Sequence, residues 1–191
     1  MKKNKILYFV IILSMVILFY PDKIYAHTMK TAIGSESSGF IVGPQHPAKK
    51  NFAYYFKGAS FSTMTATRSG ASKWRGLYLV TIDETTSSIV QNYVTDYYDK
   101  NTSAIAYNQY TYNTTTNVIS KFSLNFNTYF MDQYSQARKN QIAMHEWGHT
   151  FGLKDLYDDS NSDKAMYGYG NVMTATSVTN RDYTGMYYGL Q

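Results

Sequence analysis

The chain of 191 residues contains no cysteine. No disulfide can staple it, so its stability must come from an apolar core and from whatever ions it binds. Charge is sparse too, at 16% of residues, and the formal net of +5 overstates the basic character. Lys2, Lys3, Lys5, Lys23 and Asp22 all lie in the first 26 residues; beyond them 14 basic and 12 acidic residues leave a net of +2. That balance leaves no basic cluster to follow a phosphate backbone, which excludes nucleic acid as a partner. Long apolar runs are missing as well. The best stretch, Ile6 to Tyr20, is broken by Ser14. It falls short of the roughly 20 residues that span a bilayer.

That stretch reads instead as an export signal. Lys2, Lys3 and Lys5 form its positive end, Pro21 closes the apolar part, and Ile24-Tyr25-Ala26 offers a cleavage site. Residues 1–26 are therefore a signal peptide, and the protein is expected to be secreted. No stable membrane association is expected unless the signal stays uncleaved as an anchor. Cleavage leaves 165 residues, enough for one domain with a real core. Secretion without cysteine behind a short Lys-rich signal fits a Gram-positive bacterium. Residues 27–50 are small, polar and punctuated by Gly34, Gly39, Gly43, Pro44 and Pro47. They read as an irregular N-terminal arm or short pro-segment, which leaves 51–191 as the main domain, expected to be a monomer.

Within that domain strands come first. Phe52-Ala53-Tyr54-Tyr55-Phe56 is aromatic and β-favouring. Residues 61–75 are rich in Ser and Thr and can hold a short helix. Leu77 to Ile82 fits a strand or a helix end, and Ser88 to Tyr97 fits a helix as well as a strand. Ala104 to Tyr112 resembles a strand. Lys121-Phe122-Ser123-Leu124-Asn125-Phe126 alternates polar and apolar, the pattern of a half-buried strand. Asp132 or Ser135 can cap a helix running to about Phe151, with Ala137, Ile142, Met144, Trp147 and Phe151 for its apolar contacts. A short helix closes the chain near Gly189. The 20 tyrosines are read as sheet surface and core-edge packing.

The chemistry sits on that long helix, in His145-Glu146-Trp147-Gly148-His149. Positions i and i+4 share a helix face, so both imidazoles can aim at one tetrahedral zinc. Glu146, beside the first histidine, can reach a water there without binding the metal itself. Gly152 stands three residues on, where a glycine can take positive φ and end the helix. After His149 there is no further His, Glu or Cys. A site that takes its third ligand from a downstream glutamate is therefore excluded.

His145-Glu-Trp-Gly-His149-Thr-Phe-Gly152-Leu-Lys-Asp155 resembles the signature of the metzincin clan of zinc endopeptidases. The resemblance implies a third ligand at position 155, where most of the clan carries His. The Asp here is similar to the snapalysin type, and a carboxylate is an acceptable zinc ligand. Asp155 is also the only downstream acid with that offset; Asp158, Asp159, Asp163 and Asp182 lie too far on. Leu124-Asn125 ahead of the helix, Arg138 before Ile142-Ala143-Met144, and the ending Asp182 to Gly189 resemble a matrixin catalytic domain. The match covers about residues 120–189; over 52–115 it is one of general pattern. Metzincins carry a methionine turn beneath the metal. Met173 and Met166 are the candidates, and Met173 is preferred. Matrixin propeptides hold the enzyme latent with a cysteine thiolate, a device this chain cannot use.

The resemblance implies an α+β, metzincin-like zincin fold: a twisted mixed, mostly parallel sheet with an active-site helix and a C-terminal helix. It implies a zinc metalloendopeptidase over residues 51–191. A zinc-activated water would attack the peptide bond, with Glu146 as general base and His145, His149 and Asp155 on the metal. A protein or peptide substrate would lie extended along an exposed sheet-edge strand. The alternative is a non-catalytic, zinc-stabilised secreted binding protein on the same fold. Asp158-Asp159-Ser160-Asn161-Ser162-Asp163 adds a dense oxygen cluster that suggests calcium, although it lacks the closing Glu of an EF-hand loop.

Overall fold

A computed structural model describes residues 32–47, 49–77 and 79–191. The signal peptide expected over 1–26 lies outside the described residues. Among the described residues eight strands and four α-helices are joined by short connections. The strands are β1 (Ile33–Ser35), β2 (Phe40–Val42), β3 (His46–Pro47), β4 (Asn51–Phe56), β5 (Thr81–Glu84), β6 (Tyr93–Tyr97), β7 (Ala106–Tyr112) and β8 (Val118–Asn127). The helices are α1 (Phe61–Trp74), α2 (Thr128–Met131), α3 (Gln136–Thr150) and α4 (Asn180–Gly189). Among the described residues no helix is long and apolar enough to cross a membrane.

The main sheet runs β3-β8-β6-β4-β5, all parallel, and β7 joins β8 antiparallel. This is the mixed, mostly parallel α+β arrangement expected. β8 is central rather than half-buried: residues 122–127 are buried in succession. With strands on both sides of it, the polar members of its alternation are covered too, and Asn125 Nδ2 turns to Ser123 Oγ at 3.0 Å. The open choice at Ser88–Tyr97 resolves as strand β6, because Val94 is drawn into the core between β4 and β8.

α1 and α3 pack as the helical layer. Ser60 caps α1 by accepting from Thr63 N, and Ser135, not Asp132, caps α3 by accepting from Arg138 N. The two helices exchange indole bonds: Trp74 Nε1 donates to Met144 O at 2.8 Å, and Trp147 Nε1 to Thr67 O at 3.0 Å. Their approach needs Gly70, where a Cβ would stand 2.7 Å from Met144 N. Tyr54, Phe122 and Phe151 complete the aromatic core around Trp74 and Trp147.

The stretch expected to be irregular is built in. β1 and β2 form a hairpin, and Phe40 and Val42 are buried in the core. Residues 41–43 bond the segment that leaves α3, through Gly43 N to Gly152 O and Lys154 N to Ile41 O, both at 2.8 Å. Apolar residues at 40 and 42 carry this packing; the flanking glycines and prolines masked it in the sequence.

Candidate metal centre

Helix α3 presents two faces. Ala143, Trp147 and Phe151, at helical spacing, go into the core. Ile142, His145, Glu146 and His149 go into a cleft of about 450 Å³. Burial of the Trp147 indole fixes the rotation of the helix and so the aim of the histidines. α3 ends at Thr150, and Gly152 takes φ +84. A Cβ there would stand 2.5 Å from Gln45 O. The turn therefore has to be glycine on two counts, and it brings Asp155 back beside the helix.

Three ligand-type atoms converge. His145 Nε2 and His149 Nε2 are 3.1 Å apart, and Asp155 Oδ1 is 3.0 and 3.3 Å from them. In a tetrahedral zinc site with bonds of about 2.0–2.1 Å, ligand atoms are about 3.3 Å apart. The outer nitrogens are engaged elsewhere. His145 Nδ1 is 3.0 Å from Ala165 O and His149 Nδ1 is 2.8 Å from Leu153 O. A carbonyl only accepts, so each Nδ1 carries a proton, and in the neutral ring that leaves Nε2 as the inward lone pair a metal would take. Asp155 Oδ1 lies within ion-pair distance of both rings, yet it has no hydrogen-bond partner of acceptable geometry. The donor set fits zinc by atom type, spacing and supporting bonds.

Glu146 is 5% exposed, and its Oε2 has no hydrogen-bond partner. Burial pushes its carboxyl up, against the pull of His149 and His145. Asp155 goes the other way. Burial would raise it, but the contacts with His145 and His149 prevail and hold it well below the usual carboxylate range. At His149, burial lowers the ring and the Asp155 contact with the Glu146 charge outweighs it, for a net rise. The site thus separates one carboxylate committed to the histidine pair from a second, proton-accepting one.

The two methionines occupy different places. Met166 sulfur fills the space that a Cβ on Gly148 would take, directly before His149 on the helix. Met173, the preferred candidate, is buried in the cleft wall with Ile142, and its carbonyl accepts from Arg138 Nη1 at 2.7 Å. The difference arises because the chain turns under α3 at Ala165, one residue before Met166. The same turn supplies the carbonyl for His145.

Other supports were not read from the sequence. Asp182 on α4 accepts from Ala165 N at 3.1 Å while capping its own helix through Thr179 N and Oγ1, each at 2.7 Å. The Thr179-x-x-Asp182 spacing announces the cap but not the reach to Ala165. Tyr157 OH donates to Asp155 Oδ2 at 3.0 Å, leaving Oδ1 for the histidines. Glu36, in the β1–β2 connection, accepts from Tyr157 N at 2.8 Å, Asp158 N at 3.1 Å and Asn161 Nδ2 at 2.9 Å. No local signal links residue 36 to residue 157.

The acidic run over residues 158–163 is itself tied by hydrogen bonds and an ion pair. Asp158 turns to Ser160, Asp159 accepts from Tyr167 OH, and Asp163 pairs with Lys164. The acids diverge into separate bonds. Among the described residues, the one group of three or more metal-type side chains is His145, His149 and Asp155.

No protein-family model matches the sequence, and no curated protein matches it. The fold is similar to that in the crystal structure of myroilysin. The TM-score is 0.53 at 13% identity, over 78% of this chain and 86% of that one. At such identity the likeness carries the fold alone, a mixed α+β arrangement with a mostly parallel sheet.

Proposed function

We propose that the protein is a secreted zinc endopeptidase, matrixin-like in its frame and snapalysin-like in its third ligand. It would act as a monomer on a protein or peptide, exported by a Gram-positive cell behind residues 1–26. The observation that carries this reading is the convergence of His145 Nε2, His149 Nε2 and Asp155 Oδ1 within 3.3 Å, beside the buried, unpaired Glu146. Zinc held there supplies a Lewis acid that polarises the scissile carbonyl and acidifies water.

The chain's own residues do the rest. Glu146 would take a proton from water at Oε2 and pass it to the leaving amine. Ala165 O and Leu153 O keep the two imidazoles in one tautomer. Tyr157 keeps Asp155 presenting Oδ1. Met166, rather than Met173, serves as the methionine beneath the histidines, on the strength of its contact at Gly148. β7 pairs with no described strand but β8 and supplies Ala106, Tyr107, Asn108 and Tyr110 to the cleft. An extended substrate can add to that edge.

The test is hydrolysis of a mixed quenched-fluorescent peptide library by the full chain with zinc, beside Glu146→Ala and a chelated sample. Wild type should cleave, chelation should abolish cleavage, and Glu146→Ala should lose about 10²–10⁴-fold in rate while still binding zinc. Zinc uptake by both with cleavage by neither would favour a binding protein on the same fold.

A further inference from the structure

The cleft holds one charge that the proposed chemistry does not use. Lys154 stands between the turn at Gly152 and Asp155, and its side chain lines the cleft. Its backbone is pinned by the bond from Lys154 N to Ile41 O, flanked by the Val42–Leu153 bridge. Its stem lies over Gly43, where a Cβ would collide with Cε. Nζ is thereby delivered to β7, where it donates to Tyr110 OH at 3.0 Å and lies 5.7 Å from the centre of that ring. Among the described residues no carboxylate lies within 4.0 Å of Nζ, whereas Arg68, Lys139 and Lys164 each have one. A phenol hydroxyl leaves the ammonium's charge and its other protons unanswered. The other charged groups of the cleft are spoken for: Asp155 faces the histidines, and Glu146 is buried. The wall is thus furnished with a held, uncompensated cation.

From this we infer that Lys154 is a specificity-determining residue that selects substrates carrying an acidic side chain near the bond to be cut. The inference rests on the peptidase reading. The strand fixes the direction. Asn108 Nδ2 donates to the carbonyl of Glu146, and Tyr110 lies two residues further along β7 on the same face. The cation at Tyr110 OH is thereby set along the strand from the residue that meets the helix of the histidines. An extended substrate lying along β7 passes it, so one substrate position near the scissile bond should feel the charge.

The experiment scans Glu and its neutral isostere Gln through each position of a cleavable peptide. It compares kcat/KM for the full zinc-loaded chain, Lys154→Gln and Lys154→Glu. Wild type should prefer Glu over Gln about tenfold at one position, the scale of a charge-assisted hydrogen bond at a partly open site, and the preference should shrink with added salt. Lys154→Gln should level the ratio, and Lys154→Glu should invert it in favour of Gln and, more strongly, Lys. The ratio is internal to each variant, so a general loss of activity does not imitate it. Equal cleavage of Glu and Gln peptides at every position, or a preference that survives in Lys154→Gln, overturns the inference while leaving the peptidase standing. No cleavage of any peptide by wild type overturns both.

Discussion

Asp155 brings a negative charge to a position where an imidazole would bring none. A metal sharing that charge is a weaker Lewis acid, and water beside it gives up its proton less readily. The rate is therefore expected to rise toward alkaline pH, and Asp155→His should move the acidic limb of kcat/KM to lower pH. A limb displaced upward would contradict this charge argument. That Asp155 meets the two histidines was legible through the resemblance, which sets a ligand-type residue at its offset from His149. What stood outside the sequence was its support. Tyr157 OH occupies Oδ2, and nothing in a two-residue spacing says that the ring bends back.

Elements explain how that support is held. The loop after Asp155 holds a single 3-10 turn, Asp159–Asn161, and it is tied through Glu36 to the β1–β2 connection by two backbone amides and a side-chain amide. Glu36→Ala would leave the amides of Tyr157 and Asp158 to water, with Asn161 keeping only its bond to Glu36 O, and let Tyr157 drift. Zinc affinity is then expected to fall about tenfold, in the range for residues that orient metal ligands from behind. Glu36→Gln, keeping one acceptor, should fall less; competition against a chromogenic chelator gives both values. Unchanged affinity in Glu36→Ala would mean that the loop holds its shape unaided. Helix α3 was legible because its capping serine, apolar spacing and glycine stop are all local. Helix α1 was only suggested: its Ser- and Thr-rich sequence buries Thr63, Thr67 and Gly70 as well as Ala66, Ala71 and Trp74. Small residues there serve the close approach to α3 rather than an apolar stripe.

At the scale of the whole molecule, a protein without disulfides depends on its core, and Tyr54 ties the core to pH. Its ring packs edge-on against Trp147, and burial, with the Glu84 charge second, pushes its hydroxyl up to about 12 from an ordinary 10.0. The raised value means that the neutral form is favoured by folding. This stabilisation is complete below pH 10 and is lost as pH climbs from 10 to 12. Tyr54→Phe should unfold less steeply over that range, measured as the urea midpoint against pH; an identical slope would remove Tyr54 as the cause. The sequence by itself determined the α+β class, helix α3, and the approach of His145, His149 and Asp155 with Glu146 beside them. Those depend on neighbours a few positions apart, where helix pitch and glycine geometry dictate the outcome. Only the tertiary structure decided that Phe40 and Val42 join the core, that Met166 packs against α3 at Gly148, that Asp158, Asp159 and Asp163 turn to Ser160, Tyr167 and Lys164, and that Lys154 faces the cleft. The acids aside, each of those depends on a contact between distant segments, and such contacts are set by how the layers pack rather than by local spacing.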